Sequence, residues 1–308
     1  MNAEPAIEVR GLTKRYGGRA VVGDVSLTVR KGEIAGFLGP NGSGKTTTIR
    51  LMCGLLTPDA GEGRVLGHDI RRAGRAIKRE VGYMTQRFSF YEDLTIEENL
   101  NFVAGLYGLR PARRHVSDTL ADLGLTARRH QLAGSLSGGW KQRLALAACI
   151  MHAPKLLMLD EPTAGVDPKA RREFWDEIHR LAAEGLTVLV STHYMDEAER
   201  CHRINYISYG KLVAKGTVAE VVRNAGLTTV ILEGDDLTAA ARRLEGAAGV
   251  DQIAPFGATL HVVGRDGAAL RQSVERVAAE TGTTMHPAET SLEDVFIQLM
   301  GGAKDNMG

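Results

Sequence analysis

Nine consecutive residues follow the spacing G-x-x-x-x-G-K-[ST] of a phosphate-binding loop: Gly39, Pro40, Asn41, Gly42, Ser43, Gly44, Lys45, Thr46 and Thr47. Glycines let the backbone curl so that successive N–H groups point at one anion. A helix that starts near Lys45 adds the positive end of its dipole. Lys45 can reach the β- and γ-phosphate oxygens, and the Thr46 hydroxyl can ligate Mg²⁺. The stretch therefore predicts a nucleotide site that uses Mg²⁺.

A pair of carboxylates, Asp160 and Glu161, follows the apolar run at residues 156–159. Such a run suits a strand buried on both faces of a parallel sheet. Asp160 can hold Mg²⁺, directly or through water, and Glu161 can polarise an attacking water as a general base. A lone Asp-Glu pair is more often a solvated strand end. The buried run before it and the phosphate loop upstream favour the catalytic interpretation.

A second element for anion binding starts at Ser137, which can cap the helix that follows. Gly138 and Gly139 would leave their amides open at the positive end of that helix. One chain thus carries two phosphate-recognising elements, although a single hydrolytic site needs only one.

The elements that must position these residues alternate between strand and helix. Apolar runs predict strands at residues 34–38, 81–86, 155–160 and 187–191. Asp167 and Pro168 open the helix after the third of these, with Asp167 as its cap. This βαβ rhythm predicts a doubly wound α/β sheet that binds its ligand at the carboxyl ends of the strands.

Three further regions flank this sheet. Alternating residues at 7–10 and 25–29 predict a small antiparallel sheet, with a polar loop at 11–19 that holds Tyr16. Thr95 and Glu98 form a capping box that opens a mostly helical insert at about 95–135. After residue 223 the pattern changes again and predicts a small α+β domain at 224–308.

Composition excludes several classes of function. The chain has 308 residues and a formal net charge of +1, so no basic surface marks a nucleic-acid-binding protein. Its cysteines, Cys53, Cys149 and Cys201, are widely spaced among apolar residues, which indicates reduced, buried thiols rather than disulfides or a metal site. No run reaches the roughly 18 apolar residues that cross a bilayer, so any membrane role needs a partner.

The order of the motifs resembles that of ATPase subunits of ABC transporters, across residues 7–223. The matching segments are residues 39–46, Gln86, residues 136–139, residues 159–162, residues 164–167 and His193. The resemblance implies a P-loop NTPase fold, in which residues 1–223 form an ABC ATPase domain with a parallel core sheet, an antiparallel β subdomain and a helical subdomain. It also implies ATP and Mg²⁺ as ligands.

The resemblance assigns roles that the residues alone do not. In the family, two such subunits enclose two ATP molecules head to tail. Ser137 and Gly139 would then bind the γ-phosphate held by the other subunit, and Asp167 would cross the dimer interface. The partner is a second copy or a related ATPase subunit.

Within its own subunit, the resemblance gives each nucleotide three more contacts. Tyr16 would stack on adenine, Gln86 would contact Mg²⁺ and the attacking water, and His193 would polarise the γ-phosphate. An aromatic residue in a loop can also simply pack on its own domain.

One residue departs from the commonest family pattern, because Trp140 stands where Gln usually follows Gly139. Backbone amides and Ser137 carry the anion binding, so we expect function to survive. The C-terminal residues 290–297 resemble those of exporter ATPase subunits of the daunorubicin-resistance type.

The expected function is ATP hydrolysis that powers separate integral membrane subunits, at the cytoplasmic face of the inner membrane. Export of drugs, antibiotics, polysaccharides or lipids is the expected transport. A soluble ABC ATPase of translation or DNA repair is the alternative, although those usually have two cassettes or a long coiled-coil insert. An importer subunit would carry a longer all-β C-terminal domain, and a small-molecule kinase would have no use for residues 136–139.

Residues 87–94 are the predicted docking surface for the membrane subunits. They follow Gln86 and hold Phe88, Phe90 and Tyr91 within four positions. Aromatic residues in a connecting loop favour a protein interface. The alternative is that Phe88 and Phe90 form a small core under the helical insert.

Overall fold

The computed structural model describes residues 4–301. Its strands are β1 (Pro5–Tyr16), β2 (Arg19–Arg30), β3 (Ile34–Leu38), β4 (Ala60–Val65), β5 (His68–Asp69), β6 (Val81–Met84), β7 (Leu156–Asp160), β8 (Thr187–Thr192), β9 (Arg203–Ser208), β10 (Lys211–Gly216), β11 (Thr228–Glu233), β12 (Gln252–Phe256), β13 (Thr259–Gly264) and β14 (Thr284–Ala288). Its α-helices are α1 (Lys45–Met52), α2 (Gly74–Glu80), α3 (Ile96–Tyr107), α4 (Ala112–Asp122), α5 (Gly138–Ile150), α6 (Pro168–Ala183), α7 (Met195–Ala198), α8 (Val218–Ala225), α9 (Leu237–Leu244), α10 (Gly267–Thr281) and α11 (Leu292–Gly301).

A six-stranded sheet with the order β10-β9-β3-β8-β7-β6 forms the centre of the first compact unit, Met1–Lys215, of which residues 1–3 lie outside the described residues. The pairs β9–β3, β3–β8, β8–β7 and β7–β6 are parallel. Every residue of β3, β7 and β8 is buried, which explains why these strands are mostly apolar. The predicted doubly wound α/β sheet is confirmed.

The carboxyl ends of β3, β7 and β8 meet at one edge of this sheet. Leu38 lies opposite Thr192, and Asp160 lies opposite Ser191 in the register. The phosphate loop, the carboxylate pair and the residues after β8 therefore leave the sheet side by side. This edge is where a parallel α/β sheet binds its ligands.

A four-stranded sheet with the order β2-β1-β4-β5 lies in the same unit, and its three strand pairs are antiparallel. The antiparallel sheet is confirmed, but the polar loop predicted at residues 11–19 is wrong. β1 continues to Tyr16 and β2 begins at Arg19. Gly17 and Gly18, with φ of 56° and 81°, make the two-residue turn between them, a conformation that glycine favours in tight hairpins.

The predicted helical insert is confirmed and consists of α3, α4 and two short 3₁₀ turns, Thr126–Arg128 and Ala133–Ser135. Thr95 and Glu98 form the predicted capping box at the start of α3. One strand is shorter than expected, because β6 ends at Met84, two residues before the predicted end at Gln86.

The second compact unit, Gly216–Gly308, is described as far as residue 301, and its elements follow the order α8-β11-α9-β12-β13-α10-β14-α11. Its sheet order is β12-β13-β11-β14, the arrangement of a ferredoxin-like split βαβ fold. Apolar residues of β11, β13, α9 and α10 share one core. The edge strands β12 and β14 each contain a proline, Pro255 and Pro287. The division into domains at residue 223 stays a prediction.

Candidate functional site

The phosphate loop connects β3 to α1 and needs glycine at two of its positions. A Cβ on Gly39 would lie 2.1 Å from the carbonyl oxygen of Ile207. A Cβ on Gly44, whose φ is 101°, would lie 2.7 Å from the carbonyl oxygen of Val21. Gly44 is also the N-cap residue of α1 and offers no capping side chain. The first amides of α1 are therefore left for an external acceptor.

Lys45 is nearly buried, with 4% of its surface exposed, and its ammonium group turns back onto the loop. Nζ donates to the carbonyl oxygens of Gly39 at 2.7 Å and Pro40 at 3.0 Å. The same Nζ lies 3.1 Å from Oε1 of Glu161. A buried cation among amides and carbonyl groups is a strong local attractor for a phosphate anion.

Asp160 accepts two hydroxyl hydrogen bonds at the end of β7. Thr46 Oγ1 donates to Asp160 Oδ1 at 3.1 Å, and Ser191 Oγ donates to the same oxygen at 2.7 Å. The oxygens of Thr46 and Asp160 are thus adjacent, and hydroxyl and carboxylate oxygens are ligands that Mg²⁺ prefers. These two residues fit the predicted metal site.

Ser191 is a site residue that the sequence reasoning did not identify. Besides its bond to Asp160, its hydroxyl accepts a hydrogen bond of 3.0 Å from the backbone N–H of Glu161. It holds the two carboxylate residues in place from the neighbouring strand. The signal available in the sequence was its position at the end of the predicted strand 187–191.

Glu161 lies where the predicted catalytic residues meet. Gln86 Nε2 donates to its Oε2 at 2.9 Å, and Lys45 pairs with its Oε1. His193 Nδ1 lies 3.4 Å from Oε2 without hydrogen-bond geometry. Glu161 also has a φ of 48°, an uncommon conformation for a residue other than glycine. Backbone strain of this kind concentrates at functional sites.

A cavity of about 240 Å³ opens between the phosphate loop and these catalytic candidates. Its lining residues are Val21, Asn41, Gly42, Gly44, Lys45, Thr46, Thr47, Gln86 and Glu161. Ser43 Oγ is buried at the loop and makes no hydrogen bond to the part of the chain that the structure describes. An unpartnered hydroxyl and a loop that tolerates no Cβ at Gly39 or Gly44 fit a bound phosphate group.

Tyr16 is not among the residues that line this cavity. It lies at the exposed end of β1 with 49% of its surface accessible, and Lys14 Nζ is 5.8 Å from its ring centroid. Val21, on the next strand of the same hairpin, lines the cavity instead. An exposed ring is free to stack on a ligand, but this structure does not bring Tyr16 to the phosphate loop.

Ser137, Gly138 and Gly139 lie at the start of α5, away from the first cavity. Ser137 is the N-cap residue, but its side chain makes no capping hydrogen bond, so the predicted cap by its hydroxyl is wrong. A Cβ on Gly139 would lie 2.6 Å from Cβ of Ala170, so close packing against α6 excludes a side chain there. The result is an exposed helix start with an uncommitted hydroxyl.

A second cavity of about 520 Å³ is lined by Ser137, Gly139 and Asp167, together with residues of α4 and α6. Asp167 caps α6, as predicted, by accepting a hydrogen bond of 3.0 Å from the Ala170 N–H. The two elements that the sequence predicts to bind phosphate thus line different cavities. One nucleotide in the first cavity would not use the second element of the same chain.

The loop at residues 87–94 is only partly buried. The rings of Phe88 and Phe90 are half-buried, with centroids 5.5 Å apart. Tyr91 is 51% exposed and meets Phe102 of α3 edge to face at 5.2 Å. Glu92 pairs with Lys141 of α5 at 2.8 Å.

None of the helices within residues 4–301 combines the length and apolar composition that a membrane crossing requires.

Comparison with known proteins gives one family. The family model described as "ABC transporter" matches residues 22–164. A probable multidrug ABC transporter ATP-binding protein of Escherichia coli strain K12, YbhF, is 48% identical over 216 residues. That match covers 70% of this chain and 37% of the relative, so the chain spans little more than a third of that protein's length.

Two other relatives match over more of their own length. The daunorubicin/doxorubicin resistance ATP-binding protein DrrA of Streptomyces peucetius is 37% identical over 325 residues, which cover 99% of this chain and 96% of the relative. A solved structure of an ATP-binding subunit of an ABC transporter is 32% identical, with a TM-score of 0.65, and covers 72% of this chain and 93% of that one.

Proposed function

The chain belongs to the ABC transporter family as an ATP-binding, ATP-hydrolysing protein, and on this premise we propose that it is the ATPase subunit of an exporter. Two copies enclose two ATP molecules and power separate membrane subunits. The observation that supports the proposal is that the phosphate loop and the start of α5, the two elements predicted to bind phosphate, line different cavities of one chain. A head-to-tail pair gives each of them a phosphate to bind.

In the first cavity, we assign the γ-phosphate end of ATP to Lys45, and its triphosphate to the amides of residues 39–47. Thr46 and Asp160, whose oxygens are adjacent, would hold Mg²⁺. That ion supplies charge neutralisation between the β- and γ-phosphates.

Glu161 is the general base in this proposal, because its buried carboxylate can accept a proton from water. Its present partners, Lys45 and Gln86, must release at least one carboxylate oxygen when ATP enters. Gln86 would then orient the water and help to hold Mg²⁺, and His193 would polarise the γ-phosphate. Phosphoryl transfer depends mainly on such positioning and charge stabilisation.

The second cavity receives the partner's nucleotide in this proposal. Ser137 has an uncommitted hydroxyl, and Gly138 and Gly139 leave the start of α5 open, so these residues bind the partner's γ-phosphate. Asp167 reaches across the interface, and Tyr16 stacks on the adenine of its own subunit.

An ATP-dependent dimer tests the arrangement. In the Glu161→Gln background, which retains ATP, light scattering should report a dimer with ATP and a monomer without it. Ser137→Arg puts bulk and charge where the partner's phosphate lies, so it should abolish the dimer. Ser117→Arg makes the same change at an exposed serine of α4 and should not. If the Ser137→Arg protein forms the ATP-dependent dimer to the same extent, the head-to-tail arrangement around two ATP molecules is refuted.

The names of the relatives support a proposal for the cargo. Those relatives are named for multidrug transport and for daunorubicin/doxorubicin resistance, which supports export of drug-like compounds. The protein would lie at the cytoplasmic face of the membrane, bound through integral membrane subunits. Co-purification with a membrane protein from a detergent extract supports this, whereas recovery without one favours a soluble, non-transport ABC ATPase.

A further inference from the structure

The first turn of α5 is weakly stabilised by its own sequence. The helix begins with Gly138 and Gly139, and glycine is among the poorest helix-forming residues. Ser137 gives no capping hydrogen bond, so the turn also lacks the usual N-terminal support. A turn of this kind keeps its shape only if contacts with other parts of the protein hold it.

Trp140, the third residue of α5, makes such contacts. Cζ of Arg128 lies 4.6 Å from the centroid of its ring, and Cζ of Arg143 lies 5.1 Å from it. Both distances are within the range of a cation–π interaction, and tryptophan is the strongest aromatic partner for one.

Each of these arginines is anchored to another element. Arg128 is the last residue of the 3₁₀ turn Thr126–Arg128. Arg143 donates to the carbonyl oxygen of Leu123, just after α4, at 3.2 Å, and to Glu173 of α6 at 3.1 Å. Trp140 therefore connects the start of α5 to the helical insert and, through Arg143, to α6.

The two guanidinium groups also bring positive charge to the positive end of a helix. Charge of this sign is unfavourable for the helix alone and favourable for an anion bound at its end. The arrangement around Trp140 thus suits a phosphate at Ser137 more than it suits an empty helix start.

We propose that Trp140 is a positioning residue: its ring, held by Arg128 and Arg143, fixes the first turn of α5 so that Ser137 and Gly139 face the partner's phosphate. The inference rests on the proposed function, in which that phosphate is the γ-phosphate of the partner's ATP.

Dimerisation of Glu161→Gln variants in ATP titrations tests the proposal. Trp140→Ala should raise the ATP concentration for half-maximal dimer about tenfold, and Trp140→Phe by no more than about twofold, because an aromatic ring remains. Arg128→Ala removes one of the two contacts and should raise it about threefold. Arg129→Ala is the matched control, since Arg129 belongs to the same segment but pairs with Glu97.

Three results of the ATP titrations would overturn the proposal. One is a Trp140→Ala protein that dimerises like its parent. Another is a Trp140→Phe protein as impaired as Trp140→Ala. The third is an Arg129→Ala protein as impaired as Arg128→Ala. Binding of a fluorescent ATP analogue to the monomer should be the same in all variants, because the phosphate loop is a separate element.

Hydrogen exchange measured without nucleotide tests the role of Trp140 independently of the proposed ATP-dependent dimer. Lys141 N–H donates to the Ser137 carbonyl oxygen at 2.9 Å and closes the first turn of α5. Trp140→Ala should speed exchange of the amides of residues 141–143 about tenfold, and Trp140→Phe should not. If the Glu161→Gln parent never dimerises, the proposed function fails, and exchange still decides the role of Trp140. Unchanged exchange in Trp140→Ala refutes it.

Discussion

Lys45 and Glu161 form a buried ion pair at the phosphate loop. Their closest atoms are 3.1 Å apart and both side chains are at least nine-tenths buried. The pair holds the lysine charge at the phosphate loop, and a phosphate group bound there would compete with Glu161 for that charge.

Removal of either partner should therefore have a distinct effect. Lys45→Ala should weaken nucleotide binding. Glu161→Gln should keep nucleotide binding but slow turnover, because the loss of a preorganised charge raises the activation barrier by about 2–4 kcal/mol. Phosphate release and equilibrium binding of a fluorescent nucleotide measure the two effects. Lys211→Ala, at an exposed position of β10, is the control. Normal turnover in Glu161→Gln would falsify the general-base role.

The site residues differ in how far the sequence could identify them. Lys45, Thr46, Asp160 and Glu161 follow from local spacing, because the loop and the strand end are contiguous in sequence. Ser191 does not, since its bond to Asp160 depends on the register between β7 and β8. Register is a long-range property that a single strand pattern leaves open.

At the scale of elements, the loop at residues 87–94 has two faces. Asn99 of α3 is fully buried and holds the loop from inside, because its side-chain amide donates to the carbonyl oxygens of Tyr91 and Leu94. The side chains of Tyr91 and Glu92 point outward and are exposed. Phe88 and Phe90 have intermediate exposure, between these extremes. Docking of the membrane subunits at this loop stays a prediction.

A double substitution, Tyr91→Ala with Glu92→Ala, tests the outward face. It removes one exposed ring and one exposed ion pair, and exposed pairs contribute little to stability. We expect basal ATPase activity within about twofold of the parent and strongly reduced co-purification with the membrane subunits. Val213→Ala, at an exposed residue of β10, is the control. Lost ATPase activity with partner binding retained would place docking elsewhere.

Strands could be predicted where burial gave them a clear sequence pattern. β3, β7 and β8 are buried on both faces, so their apolar runs identified them. β12 and β14 were missed, because they are short edge strands with mixed exposure and a proline each. The hairpin end at Tyr16 was missed because its exposed residues have the composition of a loop.

At the scale of the whole molecule, the reactivity of the cysteines is a measure of how tightly the first unit is packed. Cys53, Cys149 and Cys201 are free and buried, as the sequence predicted. Burial raises the pKa of the Cys53 and Cys201 thiols well above the usual range and raises that of Cys149 to about 12. Because the thiolate is the reactive form, all three should be protonated and inert at neutral pH.

Thiol titration with a chromogenic disulfide checks this packing. At pH 8 the native protein should show no rapidly reacting thiol, and the protein in denaturant should show three. Partial reaction without denaturant would measure local opening rather than an exposed cysteine. A single fast thiol in the native protein would contradict the buried position of at least one cysteine.

The edge prolines of the second unit have a consequence for solubility at high concentration. Pro255 pairs with Leu260 and Pro287 with Val230, so each proline lies in the outermost strand on its side of the sheet. Proline has no N–H to donate, so an edge strand that contains one is a poor template for a further strand. This disfavours edge-to-edge pairing of sheets from different molecules. Replacing both prolines with threonine should accelerate aggregation in turbidity assays at an unchanged melting temperature, whereas Pro154→Thr in a loop should not. These two residues would then act as a safeguard against self-assembly in a crowded cell.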